Sequence, residues 1–567
     1  MSNDLSFNLV TDPWIKVLKK DYTESEVSLN ELFSNSEEYL QLAGDMKSQD
    51  LAILRLLLAI LLSVYTRFDA DDTPYSWLNL DDKWRVIRTD NDGKDFDKLE
   101  NTWRSLYDQK AFSKKLFDYL NLYQTKFDLF GNDPFYQVNR QVYDQNVPEN
   151  KKVAKGAGTV SVKQINRLIS ESNNSPALFS PKSGIEKDSV NNAELVRWLI
   201  TYQNFTGVTD KTKVKSKDKF SVSPGWLYSI NPVYIKGKTL FDTLMLNLSL
   251  VTNDSADGTN WLNPQRPVWE YDDINDYLQQ RLNGVYPDNL SELYTVWSRM
   301  IHIDWQNGQP VIFSAGLPKL DSEKQFLEPM TTWRKNKDGV VYPAAKNKNN
   351  INVAMWRNFG QYIRTKANED EKRIPGIVSW IQELKKEKYI SKHTNINIVT
   401  VAMISDGNAT SQSPYAEITD NMQAKAGVLF DDEPMLENRW QDRIEKEVLL
   451  TQQVANYFYW FAKDISNIQT HSEKKKSNDD WASRKVAQFY DELNQPFYTW
   501  LSGLDLSQDR DAKTKEWRET LNRFVATQAK NIFINATADE IIGGKEDNIF
   551  TIYNKLRRNV YVCLGLK

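Results

Sequence analysis

The sequence predicts an α+β protein, with a large mixed N-terminal domain carrying long loops (residues 1–430) and a C-terminal four-helix bundle (residues 431–567). Three observations lead there. Up to about residue 430, short β-rich runs alternate with helical ones. Turn-rich stretches separate these elements. From about Pro434 the pattern changes to long amphipathic segments joined by short polar links. A chain of 567 residues also exceeds one ordinary core, which calls for two or more domains.

Along the chain, FNLVTDPWIKVL reads as a strand broken by a turn at Asp12-Pro13. VSLNELF reads as a helix entry, with Ser28 as cap and Glu31 three residues on, a capping box. LAILRLLLAILLSVY (Leu51 to Tyr65) is interrupted by Arg55 and is shorter than the roughly 18 apolar residues of a membrane span, so it is expected to be a buried helix. The helical pattern continues to about Leu129, and Pro134 to Gly225 is turn-rich. GKTLFDTLMLNLSL and LYTVWSRMIHIDW return to packed elements. TTWRKNKDGVVYPAAKNKNNINVAMWRNF is again loop-rich, mixing basic residues with tryptophan. NINIVTVAMI (Asn395 to Ile404) reads as a strand entering the polar turn SDGNATSQSP. Four amphipathic helices follow: RIEKEVLLTQQVANYFYWFAKDI, RKVAQFYDELNQPFYTWLSGL, TKEWRETLNRFVATQAKNIF and NIFTIYNKLRRNVYVCL.

The chemistry present argues against an enzyme. A single cysteine, Cys563, excludes a disulfide framework and a cysteine-rich zinc site. His302, His393 and His471 are scattered without ligand spacing, and His302 sits in an alternating run that should bury it as a hydrogen-bonded core histidine. No phosphate loop, dinucleotide fingerprint, zincin helix or nucleophile elbow occurs, and GGKED lacks the rest of a phosphate loop. The acidic runs read as solvated faces, so neither cofactor nor metal is expected. The opening MSNDLSFNLV lacks the cationic and apolar segments of a signal peptide, which leads to the expectation of a soluble, cytoplasmic protein with no membrane partner.

What remains is binding chemistry. TDKTKVKSKDKF places Lys211, Lys213, Lys215, Lys217 and Lys219 at every second position, in a chain of net charge −4. As a strand it would send all five ammonium groups to one face, open only to water or a polyanion. As a loop it is a solvated cationic tether. From these residues alone both readings stand, and most of the 18 tryptophans are core.

In order along the chain, FNLVTDPWIKV, DLAILRLLLAIL, GKTLFDTLMLNL, RPVWE, LYTVWSRMIHID, EPMTTWR and MWRNF resemble the CasA family, the large subunit of the type I-E CRISPR Cascade complex. The resemblance spans essentially the whole chain. It implies a non-catalytic subunit that recognises the protospacer-adjacent motif (PAM) in double-stranded DNA, helps to open the duplex and offers a surface to the helicase–nuclease. Its implied partners are the other Cascade subunits and the 5′ handle of the CRISPR RNA.

The resemblance also implies residue roles. Leu178, Phe179 and Ser180 in SPALFSPKSG fall at the family's docking loop. Gly207, with Thr206 before it, falls at the loop that faces the minor groove, directly ahead of the lysines. Lys319 or Lys324 falls at a minor-groove lysine. Gln412, flanked by Asn408 and Ser413, falls at the wedge, a hairpin tip. Placed so, phosphate contact becomes the favoured reading of Lys211 to Lys219. Unlike some members, this chain has no Cys-x-x-Cys site. The alternative from another class is a helical scaffold that binds proteins, its basic loops merely solvated.

Overall fold

The computed structural model describes residues 6–566, apart from 91–93, 157, 170, 172–181, 183–185, 207–211, 252–262, 349, 366–371, 406–413, 471–475 and 544–546. The chain divides into two compact units that alternate along the sequence. One takes Met1–Lys348, Pro375–Ile381 and Ile398–Thr419; the other takes Asn349–Ile374, Gln382–Asn397 and Asp420–Lys567.

In the first unit, strands β1 (Ile15–Lys19), β2 (Glu24–Val27) and β3 (Tyr39–Leu42) form an antiparallel sheet in the order β2-β1-β3. The expected strand therefore begins only after Pro13. Ahead of it, Asn8 N donates to Asp12 Oδ2 at 2.6 Å to close the turn, and Asn8 makes an isolated bridge to Asp128. Trp14 is wholly buried, its indole N–H donating to Leu9 O at 3.0 Å. Ser28 Oγ accepts from Glu31 N at 3.2 Å and so caps the short helix Leu29–Ser34, which is the serine half of the expected capping box without the reciprocal glutamate bond.

Helix α1 (Lys47–Tyr65) is buried at every residue after Lys47. Its apolar side chains cover all faces rather than one stripe, the signature of a central helix. By length and composition alone it could cross a membrane, but it lies inside the protein. Helix α2 (Asn192–Asn204), capped by Asn191 Oδ1 on Glu194 N at 2.7 Å, packs against it.

The arginine that interrupts the apolar run of α1 is paired in the core. Arg55 and Glu328 are both fully buried and pair at 3.2 Å, with the guanidinium 4.0 Å from the Tyr294 ring centroid. Glu328 also accepts from Met330 N at 3.0 Å, Thr331 Oγ1 at 2.5 Å and Trp226 Nε1 at 3.3 Å. In a second buried pair, Arg67–Glu270 at 2.8 Å, the carboxylate accepts a further bond from Tyr119 OH at 2.6 Å.

Strand β4 (Val233–Lys236) precedes a hairpin of β5 (Arg299–Gln306) and β6 (Gln309–Gly316), in register from Arg299↔Gly316 to Gln306↔Gln309. Its two-residue turn, Asn307-Gly308, has φ of 52° and 76°, the left-handed pair that a tight hairpin requires. His302 on β5 is half-buried with Nδ1 3.0 Å from Val138 O, the core histidine expected, and burial lowers its pKa. Strands β7 (Asn395–Ser405) and β8 (Pro414–Lys425) complete a sheet in the order β8-β7-β4. Their connection is too short for the crossover that parallel strands need, so they form an antiparallel hairpin.

The second unit holds the four long helices: α3 (Trp440–Thr470), α4 (Lys476–Ser502), α5 (Arg510–Phe533) and α6 (Ile549–Cys563). Helix α3 packs against the other three. Trp356, from MWRNF, stacks on Phe497 with centroids 4.2 Å apart and donates to Asn494 Oδ1 at 2.7 Å. Trp517 Nε1 donates to Thr451 Oγ1 at 3.1 Å across α5 and α3.

Removing one partner of a buried ion pair leaves the other charge uncompensated. Glu328→Ala is therefore expected to cost about 3–5 kcal/mol of stability in chemical denaturation. The double variant Arg55→Met/Glu328→Gln, which removes both charges, is expected to cost less than the single one. Equal or greater loss in the double variant would refute the account of this pair.

Candidate nucleic-acid interface

The basic segment lies on the outer edge of β6. Its entry is fixed by Gly316 N donating to Thr212 O at 2.9 Å and by Val214 N donating to Gly316 O at 3.2 Å. Its exit is fixed on the same strand extension: Lys319 N donates to Ser221 O at 2.8 Å, and Ser223 N to Leu317 O at 2.9 Å. The chain thus leaves residues 316–319 and returns to them.

Thr212 and Val214 are buried while Lys213 and Lys215 are exposed, the alternation of a strand. From Ser216 to Lys219 every residue is exposed and the chain bends. The single-faced ladder expected from the sequence therefore holds only over Thr212–Lys215; beyond it, the lysines crown a bend. The reason is that the positions beyond Gly316 are taken by the returning chain, through Leu317 O and Lys319 N, which leaves Ser216–Lys219 no edge there to pair with.

Two of these lysines also brace the segment. Lys213 Nζ donates to Phe220 O at 2.8 Å, closing the loop across its base, and Lys215 Nζ donates to Gln145 O at 3.1 Å. Glycine is required at two close approaches. A Cβ on Gly316 would come within 2.4 Å of Val222 Cγ1. Gly225, at φ +89°, lies so close to α2 that a Cβ would meet Asn204 O at 2.3 Å.

Lys319, distant in sequence, joins the exit of the segment through its backbone and is exposed; Lys324 is also exposed. Thr206, expected with Gly207 at the reading loop, is instead a stem residue. It is 2% exposed, with its hydroxyl 3.5 Å from Ser298 Oγ. The stem is set by Gln203, whose side-chain carbonyl accepts from Ser298 N at 2.8 Å and Arg299 N at 3.0 Å. Gly207, Lys211, Leu178, Phe179, Ser180, Asn408, Gln412 and Ser413 lie outside the described residues.

Two further lysines belong to this region without having been singled out by the sequence. Lys152 pairs with Glu149 at 2.7 Å, and with Lys155 and Lys215 nearby it holds this exposed carboxyl below its usual pKa. The lysines between Asn150 and Gly156 were the available signal. Thr159 N in turn donates to Ile312 O at 2.9 Å, so the following segment docks on the same β6 edge. The arrangement offers a set of exposed ammonium groups on a braced edge, suited to phosphate binding.

A side chain at Gly316 would displace Val222 and separate the exit from its strand. Gly316→Ala is therefore expected to speed amide exchange at Ser223 and Lys319 by about tenfold or more, relative to amides in α1. Unchanged exchange at both would show that this close approach does not hold the segment.

A profile of the family described as CRISPR-associated protein Cse1 matches residues 8–528. The fold is similar to Cse1 from Thermobifida fusca, with TM-score 0.75 and 21% identity over 99% of this chain and 98% of that one. It is similar to Cse1 from Acidimicrobium ferrooxidans, with TM-score 0.70 and 19% identity over 100% and 99%. It also resembles a chain of a structure named CRISPR RNA-guided surveillance complex, with TM-score 0.65 and 15% identity over 98% and 99%. A search of curated proteins gave no match.

Proposed function

The chain belongs to the CRISPR-associated Cse1 family, also called CasA, and on that premise we propose that it is the non-catalytic DNA-recognition subunit of an RNA-guided surveillance complex. In this reading it recognises the PAM in double-stranded DNA through the minor groove, promotes duplex opening and R-loop formation, and helps to recruit the helicase–nuclease. Its partners are the other Cascade subunits and the 5′ handle of the CRISPR RNA, with Leu178, Phe179 and Ser180 as the docking loop.

The observation that carries the proposal is the braced basic edge. Lys213, Lys215, Lys217 and Lys219 are exposed on a segment pinned at both ends to residues 316–319, where Lys319 joins them. Gly207 and Lys211 complete it in sequence. A segment held in this way presents its charges at a fixed place, and the net acidity of the chain is no obstacle, because only the local field must be positive. Gly207 has no side chain to keep the backbone from a groove floor, and Lys319 or Lys324 supplies the minor-groove ammonium. Because that groove carries a degenerate pattern, such a loop separates only some base pairs. The guide RNA reads the rest by pairing.

Opening is assigned to Gln412, with Asn408 and Ser413 beside it, in the connection between β7 and β8. Unstacking the first step costs a few kcal/mol, which a side chain inserted between the strands offsets. A glutamine amide can donate and accept there without carrying charge into the stack.

Two experiments test the proposal. Replacing Lys213, Lys215, Lys217 and Lys219 by alanine is expected to weaken duplex binding for all sequences and to leave PAM preference nearly unchanged. The log–log salt slope should flatten by about 0.9 for each phosphate that is no longer neutralised. An unaltered slope returns the segment to a solvated loop and favours the scaffold reading. Separately, Gln412→Ala is expected to slow strand opening on a paired target more than on one already unpaired beside the PAM. Equal defects on both, or none on either, would remove Gln412 from the wedge.

A further inference from the structure

The lysine segment and the stem of the reading loop meet at one residue of the core. Arg299 opens β5, lies opposite Gly316 of β6, and is fully buried. Its backbone holds the end of α2: Arg299 N donates to Gln203 Oε1 at 3.0 Å, and Gln203 Nε2 donates to Arg299 O at 2.9 Å. Gln203 lies three residues before Thr206. The side chain of Arg299 holds the far end of the loop. Its Nη1 donates to Ser223 O at 2.5 Å and to Ser298 O at 3.0 Å. Leu317 N also donates to Ser298 O, at 3.1 Å, and Ser223 N donates to Leu317 O. A closed ring of hydrogen bonds thus joins Ser223, Leu317, Ser298 and Arg299.

Arg299 is unlike the other buried arginines of this core. Arg55 and Arg67 each pair with a glutamate. Among the described residues, Arg299 Nε and Nη2 have no partner, and Nη1 is bonded only to carbonyls. A guanidinium keeps its proton, and buried without an opposing charge it costs stability that an apolar side chain of similar size would not. What it supplies instead is a nitrogen with two protons, placed between carbonyls of two different segments.

Resting on the function proposed above, we infer that Arg299 is a positioning residue for PAM discrimination. The lysine segment seats the phosphates of any duplex, whereas the loop beyond Thr206 is assigned to the minor groove. Discrimination needs the two held at a fixed separation, so that a seated duplex meets the loop at one depth. Arg299 sets that separation, because it bonds Gln203 on one side and Ser223 on the other. Its backbone bonds do not depend on its side chain. A side-chain variant therefore cuts only the tie to Ser223 and Ser298.

The test uses the assembled complex with the full chain. It compares the affinity for a duplex bearing the PAM with that for one lacking it, each across a salt series. Arg299→Met is expected to lower the ratio of the two affinities about tenfold, the order of one lost base contact. Binding to the PAM-less duplex and its salt slope should match wild type, since no phosphate contact is removed. Arg299→Lys keeps the charge without the planar fork, and its ratio should fall between the two. It carries the test, as a ratio below wild type, if the Met variant does not assemble. Amide exchange in α1 should match wild type, which excludes a general loosening of the core. An unchanged ratio in both variants, or an equal loss on both duplexes, overturns the inference. The complex without this subunit and the four-lysine variant, run in parallel, separate this claim from the one beneath it. If omission abolishes discrimination and the four-lysine variant flattens the slope while the Arg299 variants are silent, only the positioning role fails. If omission leaves discrimination unchanged, the reading on which it rests fails.

Discussion

The carboxylate of Glu328, buried without any exposure, is the constraint around which the first unit is organised. A buried carboxylate costs several kcal/mol unless its oxygens are satisfied. Here they are satisfied from four directions: Arg55 in the core helix, Trp226, the backbone of Met330 and the hydroxyl of Thr331. Three of these partners adjoin the segments to which DNA contacts are assigned in the proposal. Trp226 follows Gly225, where the lysine segment has returned and closed on α2. Met330 and Thr331 lead into a basic hairpin, strands Trp333–Lys335 and Val341–Pro343, and Met330 O accepts from Val233 of the sheet that bears β7 and β8. The buried carboxylate therefore ties the core helix to the chain that follows the lysine segment and to the root of the basic hairpin.

This explains why the segments that reveal the family are not those assigned to DNA. DLAILRLLLAIL supplies Arg55, EPMTTWR supplies Glu328, and RPVWE supplies Glu270, whose carboxylate binds Arg67 and Tyr119. MWRNF supplies Trp356, buried against Phe497. These are buried polar or aromatic residues whose neighbours admit few substitutes, because an unsatisfied charge or a missing ring in a core costs several kcal/mol. The surface proposed to bind DNA rests largely on exposed lysines, where many sequences meet the same physical need.

The legible part of the fold was the part with periodic or local signals. The apolar core helix, the β-rich run before SDGNATSQSP, the cap at Ser28 and the four amphipathic helices all follow from spacing along the chain. Asn307-Gly308 is an equally strong local signal for the β5–β6 hairpin, hidden inside what reads as a packed segment followed by a loop. The Arg55–Glu328 pair was not legible, since the partners are 273 residues apart and either charge could have been a surface residue. The lysines were legible as a charge cluster. Their pinning was not, because it depends on a docking edge, residues 316–319, far away in sequence. For the same reason Thr206 read as part of a loop when it is a stem residue facing Ser298.

The central claim is that this chain supplies the salt-dependent recognition of duplex DNA in an RNA-guided complex. The most direct measurement is a salt titration of duplex binding by the assembled complex, with and without this subunit. The account predicts that affinity with the subunit present falls steeply as salt rises, and that omission flattens the slope and removes discrimination of the PAM. The same slope and the same discrimination after omission would contradict it.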